Sequence, residues 1–386
     1  MASGTLDVIQ TVGLADEVQR LRERVAQWVD RSDPDVQPML RQQFEGSSKY
    51  FRPMMVFASH RAVSSAPVPE RVLAAAQAVE MFHNITLIVD DIVDKSDRRR
   101  NKLTLHAQYD PLAAWMVAGY IDAGASDVLT SQMIDDEADQ RGDHAETRAR
   151  LHDELCERSE ADEAYDAVDR ASRSVLAPRG FDTRRDWQAI NEAGPVRFDM
   201  RLLSELKKRL AVAECVQWDM RKGGALSRGY KRPLSRLGLA DWRYLAREDT
   251  GSMFEICACL GARSQRFRRF GRLVGMLYHG CDDVADVSDL QSLGGGGDED
   301  LEEGILTLPA ALAIQHSDEI CRLYTKAERT PAERELLRQA FLEQLPHAKN
   351  QLDEIRRQAQ AELDHLQVRN REQMLELIDQ VRKLAD

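Results

Sequence analysis

Met81-Phe82-His83-Asn84-Ile85-Thr86-Leu87-Ile88-Val89-Asp90-Asp91-Ile92-Val93-Asp94 is an apolar, helix-like run that ends in three carboxylates. A second apolar run, Leu273 to Cys281, ends the same way in Asp282-Asp283-Val284-Ala285-Asp286. At about 100° per residue, the carboxylates of each D-D-x-x-D fall near 0°, 100° and 40°, on one face of one helix. Three like charges so crowded call for a counter-charge. Hard divalent cations bound through oxygen supply it, and Mg2+ keeps other positions for water and substrate phosphate. A single copy reads equally well as a solvated acidic helix end. Two copies, roughly two hundred residues apart, read as two carboxylate walls facing each other across a diphosphate. Asp90, Asp91, Asp94, Asp282, Asp283 and Asp286 are therefore candidate metal ligands, and the first five are also candidate catalytic residues.

Around these runs the pattern is helical throughout. Apolar residues at helical spacing predict helices over Leu6 to Val29, Lys49 to Val63, Val72 to Asp94, Trp242 to Leu260, Arg268 to Asp286 and Thr307 to Gln315. Strand-like alternation is essentially absent, so the fold class is all-α. Residues 130–200 are dense in charge and poor in large apolar side chains, and read as a charged insertion without assigned chemistry. Gly294-Gly295-Gly296-Gly297, directly after the second aspartate run, reads as a flexible active-site lid. Residues 331–386 read as two amphipathic helices laced with i,i+3 and i,i+4 charge pairs.

Composition sets limits. The chain of 386 residues is 43% apolar and 31% charged with a net charge of −12, which fits a large core under a well-solvated surface. No basic run dominates any segment, which argues against a nucleic-acid partner. No run of eighteen or more uncharged apolar residues occurs, and the N-terminal residues lack a secretory pattern, so no membrane span is expected. Six cysteines form neither a disulfide framework nor a zinc pattern. They read as buried thiols in a reducing cytoplasm.

Several stretches resemble elements of the polyprenyl synthetase (trans-isoprenyl diphosphate synthase) superfamily. Ser48-Lys49-Tyr50-Phe51-Arg52-Pro53-Met54 resembles its G-G-K-R-x-R-P element, and Val79 to Asp91 its first aspartate-rich helix. Arg99-Arg100 with Leu103-Thr104-Leu105-His106 resembles R-R-G-x-P-T-L-H. Thr250-Gly251 and Gly261-Ala262 resemble its K-T-G and L-G-A helix, and Asp300 to Pro309 the segment after the second motif. The resemblance runs in order from about residue 40 to 320, and 1–386 is read as one domain. It implies a single helical bundle with a central cavity, a homodimer, and about three Mg2+ ions between the walls. It also implies prenyl diphosphate substrates: an allylic diphosphate ionises, and isopentenyl diphosphate adds to the cation with loss of a proton. Lys49, Arg52, His83 and Arg100 match the family's basic residues for the isopentenyl diphosphate group, where arginine forks and a lysine charge suit phosphate oxygens. By the same likeness Arg99, Gln217, Thr250 and His279 are substrate-binding candidates.

The departures bear on the allylic side. Asp249, Gly295 and the Gly304-Ile305-Leu306 segment stand where the family places three lysines, and His279 stands for a glutamine. Arg98, Arg99, Lys102, Lys222 and Arg247 are candidates to compensate. Three readings follow: an elongating prenyltransferase with a remodelled allylic site, a class I terpene synthase that cyclises one long prenyl diphosphate, and a non-catalytic subunit of a partner synthase. The first is preferred because a cyclase has no use for the second phosphate site. Thr86 and Ile85, just before the first aspartate pair, leave room for a long tail unless Phe82 or Trp115 closes the pocket.

Overall fold

The computed structural model describes residues 3–44, 48–99, 102–139, 195–222, 237–288, 301, 304–326 and 328–386. In chain order the helices are α1 (Ser3–Val12), α2 (Ala15–Arg31), α3 (Gln37–Phe44), α4 (Phe51–Val63), α5 (Glu70–Asp94), α6 (Leu105–Gln108), α7 (Pro111–Asp139) and α8 (Pro195–Lys222). They continue as α9 (Leu239–Ala246), α10 (Ser252–Ala262), α11 (Arg268–Ser288), α12 (Leu308–His316), α13 (Asp318–Tyr324), α14 (Pro331–Glu343), α15 (Leu345–Leu366) and α16 (Arg371–Arg382). Among the described residues the only strands are β1 (Arg98–Arg99) and β2 (Lys102–Leu103), an antiparallel pair. The all-α expectation holds.

Three expected boundaries differ. The first helix splits because Gly13 takes a positive φ of 73°, a conformation that ends α1 and starts α2 afresh. The expected helix over Trp242 to Leu260 breaks into α9, a π turn at Arg247–Gly251, and α10. The C-terminal region holds three helices rather than two, with Leu345-Pro346 starting α15 afresh after α14. The ends of the expected insertion belong to α7 and α8; residues 140–194, the glycine run and Arg100 lie outside the described residues.

The arrangement centres on α5. Val72, Leu73, Val79, Met81 and the alanines 74–76 and 78 are all buried, because α7, α4, α10 and α2 surround it. Of the described helices, this one is long and apolar enough to cross a membrane, yet 72% of its apolar window is buried inside the fold, as suits a core helix. Beside it, α10 lies against α4 so closely that a side chain at Gly261 would overlap the Val56 carbonyl. α11 packs against α10 on one flank and against α15 on the other, through Leu352, Ile355, Ala359 and Leu363.

A buried ionic cluster joins α8, the π turn, α10 and the start of α11. Glu255, whose side chain is 1% exposed, accepts from Arg268 at 2.6 Å and Arg272 at 2.8 Å and pairs with Arg209 at 3.1 Å. Arg209 also holds Glu248 at 2.8 Å, and Arg268 forks onto Glu205. Burial opposes the charge on Glu255, but these arginines outweigh it and hold the carboxyl well below its usual range.

Candidate active site

The first aspartate wall is the C-terminal end of α5. Lys95 closes the helix in a left-handed conformation, its N–H donating to the Asp91 carbonyl. The β1–β2 hairpin then turns Arg99 back, and its Nε donates to Asp91 Oδ1 at 2.7 Å. Asp91 is buried, and burial pushes its carboxyl up despite Arg99. Asp90 is pushed well above its usual range, first by burial and then by repulsion from Glu214 of α8 and Asp249 of the π turn. Asp94 lies one turn further along, partly exposed.

The second wall, near the end of α11, is built differently. Asp282 is half-exposed, with Lys49 Nζ 3.6 Å from its Oδ1. Asp283 is buried, and its Oδ2 accepts from Trp242 Nε1 at 2.7 Å and from the Leu308 N–H at 2.8 Å. Only Oδ1 of Asp283 remains on the site side, 4.0 Å from His279 Nε2. Asp286 is partly exposed one turn on.

Between the walls lies the π turn. Asp249 leaves helical geometry at φ −83°, ψ −105°. Its Oδ2 accepts from Thr250 Oγ1 at 3.1 Å and lies 3.5 Å from His279 Nδ1. His279 Nδ1 is also 3.1 Å from Thr250 Oγ1. Burial alone would lower His279, but Asp283 and Asp249 outweigh it and push the imidazole up to about 9. A protonated His279 thus ties the helix break to the second wall. Sequence reasoning noted Asp249 only as a lost lysine and gave no signal for Trp242 or Glu214; an apolar helix start and a lone surface-like glutamate carry none.

A basic cleft opens beside the second wall, lined by Ser48, Lys49, Tyr50, Phe51, Arg52, Glu80, His83 and Tyr278. Tyr50, in a left-handed conformation at φ 55°, precedes the start of α4 between Lys49 and Arg52, which both line this cleft. Arg52 meets His83 Nε2 at 3.2 Å and Met253 Sδ at 2.6 Å. Its guanidinium lies over the rings of Tyr278 and Phe254, 5.5 and 5.7 Å from their centres. Lys49, Arg52 and His83 are therefore brought together as expected. Arg99 instead sits on the first wall, and Gln217 lies one turn beyond Glu214 on α8. Arg247 is spent on Glu248 at 2.7 Å and over the Tyr244 ring, away from the compensating role considered for it.

Among the described residues no three acidic, histidine or cysteine side chains come close enough to enclose a metal ion alone. The donors are all carboxylate oxygens on two separate walls. That set fits hard cations which complete their shells with water and a bridging diphosphate, the habit of Mg2+.

The comparisons with known proteins agree with this geometry. The family model for polyprenyl synthetases matches residues 33–176. Geranylgeranyl pyrophosphate synthase 4 of Arabidopsis thaliana is 24% identical over 314 residues, 77% of this chain and 66% of that protein. A short chain isoprenyl diphosphate synthase of Methanocaldococcus jannaschii is 37% identical over 97 residues, 25% of this chain and 29% of that protein. The chain thus spans less than two thirds of the length of the curated relatives it matches first. A crystal structure of a polyprenyl synthase from Caulobacter crescentus, complexed with calcium and isoprenyl diphosphate, superposes with a TM-score of 0.68 at 20% identity, covering 98% of both chains. Two aspartate runs on the ends of core helices and a basic cleft beside the second thus accompany a likeness to polyprenyl synthetases that covers residues 33–176 in sequence and nearly the whole chain in fold.

Proposed function

We propose that this chain is a Mg2+-dependent prenyltransferase that joins an allylic prenyl diphosphate to isopentenyl diphosphate, giving a longer trans-prenyl diphosphate. The observation that carries this reading is the basic cleft: Lys49, Arg52 and His83 form a second anion site touching the second wall, with Lys49 3.6 Å from Asp282. A protein acting on one diphosphate has no use for two such sites.

Asp90, Asp91, Asp94, Asp282 and Asp286 would hold Mg2+ ions, with Asp283 contributing through Oδ1. Bound there, Mg2+ supplies Lewis-acid neutralisation of the departing diphosphate. The residues do the rest. The allylic C–O bond breaks with its electron pair on the diphosphate, and the double bond of isopentenyl diphosphate, anchored by Arg52 and Lys49, attacks the carbon. A proton then leaves the adduct to the released diphosphate. Thr250 and the His279–Asp249 pair border this space and orient the allylic head. Apolar walls keep water from the cation, which would otherwise give an alcohol.

A cyclase reading draws on Asp249, a carboxylate where a cation would grip the allylic diphosphate. Incubation with Mg2+ and an allylic diphosphate, with and without isopentenyl diphosphate, separates the two. Elongated alcohols after phosphatase treatment, appearing only with both substrates, are expected. A hexane-soluble olefin made from one substrate alone would put the cyclase first.

The homodimer belongs to the same proposal. Leu112, Trp115 and Met116 are 62%, 58% and 63% exposed and lie together on one face of α7. Light scattering at micromolar concentration is expected to give twice the chain mass, and Trp115→Asp to halve it. Cys215 is exposed, against the expectation of buried thiols, but Cys257, Cys259, Cys281 and Cys321 are buried, with Cys259 and Cys281 pushed up to about 12 by burial, which suits a reducing cytoplasm; cell fractionation checks that placement.

A further inference from the structure

Asp282 and Asp283 are neighbours on α11 with different freedom. Asp282 is half-exposed, with Lys49 3.6 Å away. Asp283 is fixed at Oδ2, which accepts from Trp242 Nε1 at 2.7 Å and from the Leu308 N–H at 2.8 Å. A carboxylate offers about four lone-pair sites, shared equally by its oxygens, so these two donors fill Oδ2. Oδ1 lies 4.0 Å from His279 Nε2, beyond hydrogen-bond reach, and is left to the site.

Both donors are built into the fold. Leu308 follows the N-cap Thr307, so its N–H is one of those that the first turn of α12 leaves open. The indole is wholly buried and arrives from α9. That helix is fastened at its start, where the Gly238 N–H donates to Asp241 at 2.9 Å and the Leu239 N–H donates to Gln315 of α12 at 3.2 Å. Gly280, one turn before Asp283, leaves room for the ring, since a Cβ there would stand 3.0 Å from Trp242 Cζ2. A buried indole N–H needs an acceptor, and here the acceptor is a carboxylate of the second wall. We propose that Trp242 is a positioning residue that acts through Asp283 and makes the second wall favour Mg2+ over Ca2+, by leaving Asp283 a single oxygen to give. Mg2+ takes single oxygens in a tight octahedron, whereas the larger Ca2+ takes more ligands and also accepts carboxylates through both oxygens. With Oδ2 filled, that second mode is closed at Asp283.

This inference rests on the Mg2+-dependent prenyltransferase reading above, so its test measures cation choice apart from condensation. The full chain is held with the non-reactive thiolo analogue of geranyl diphosphate, and Mg2+ or Ca2+ is titrated by calorimetry. Trp242→Phe keeps a buried ring and removes the N–H. It is expected to lower the Ca2+-to-Mg2+ ratio of half-saturating concentrations at least about fivefold, by tightening Ca2+ while Mg2+ moves less. A purely structural indole would weaken both cations alike. If melting shows that variant unfolded, Trp242→benzothienylalanine, which keeps the shape of the indole without its N–H, is the substitute and is expected to shift the ratio the same way. An unchanged ratio in a folded variant would overturn the proposal. Cation-dependent binding of the analogue without any condensation by wild type would sink the elongation reading alone. Analogue binding by wild type that ignores both cations would sink both.

Discussion

Helix α11 carries a cluster of buried charge at each end, and the two obey opposite rules. At its start, Arg268 and Arg272 meet Glu255 and Glu205, with Arg209 and Glu248 completing the set, so every carboxylate has a guanidinium within hydrogen-bonding distance. Glu255 is held well below the usual range as a result. Near its end, Asp283 meets Asp249 through His279, and Asp90, beside Asp249 and Glu214, is pushed well above the usual range. The first cluster is complete and holds four segments together. The second is short of positive charge, and the shortfall is what a cation and a diphosphate would make good. Buried charge matched by guanidinium groups is structural here, and like charge crowded around Asp90 marks the site.

The comparison is tested most severely at Glu255. Removing one partner from a buried ion network leaves the others uncompensated and costs about 3–5 kcal/mol. Glu255→Gln is therefore expected to lower the urea midpoint sharply. The pH dependence has a definite sign. A carboxyl depressed in the folded state stabilises the fold above its unfolded value near 4.5, and that contribution is lost as pH falls toward the folded value. The stability difference between wild type and Glu255→Gln should thus be full at neutral pH and shrink on acidification. A difference that stays constant from pH 7 to pH 3 would mean that the cluster is not held by charge.

At the other end the sign on stability reverses. Asp90→Ala or Asp282→Ala is expected to lower turnover by at least about a hundredfold, because Lewis-acid stabilisation supplies several kcal/mol. Yet without Mg2+, Asp90→Asn should melt at or above the wild-type temperature, since it relieves repulsion from Glu214 and Asp249. Turnover that survives excess chelator would break the assignment of both walls. A lower melting point for metal-free Asp90→Asn would show that the second cluster is paired after all.

How much of this contrast was legible beforehand follows from where the information sits. The aspartate walls, the helix class and the Lys49–Arg52–His83 cleft depend on residues at helical spacing or on short ordered motifs, and both survive in a bare sequence. The closed cluster does not, because Arg209, Glu255 and Arg268 look like ordinary helix-surface charges until packing removes them from water. Trp242 gripping Asp283 over a separation of 41 residues left no local pattern either. The π turn was read as a continuous helix because the apolar residues on both sides of it keep helical spacing, although Asp249, Thr250 and Gly251 are poor helix formers; the break lies in ψ at Asp249, which periodicity does not encode.

Within the site, the two substrate flanks differ in turn. Arg52 makes no ion pair among the described residues, meeting an imidazole, a thioether and two rings instead. It is thus available to a phosphate. Losing one charge-assisted contact costs about 1.5–3 kcal/mol, so Arg52→Ala should raise the KM for isopentenyl diphosphate about ten- to a hundredfold. The KM for the allylic substrate should barely move. Equal increases in both would show that the flanks share one phosphate site.

The smallest effect is expected on the opposite flank. Asp249 places a carboxylate where the allylic head must lie, held by Thr250 and His279. Asp249→Asn keeps the shape and the Thr250 contact while removing one like charge. At the separation of neighbouring groups in a partly hydrated site, that repulsion amounts to about 1 kcal/mol. The KM for the allylic diphosphate should therefore fall about fivefold at saturating isopentenyl diphosphate and low salt, and the gain should shrink as salt screens the pair. His279 would lose one of the two carboxylates that hold it charged, so the gain should be larger at pH 7 than at pH 9. A rise in KM instead would mean that Asp249 binds the head group through a cation of its own, and that the allylic flank is charged for attraction after all.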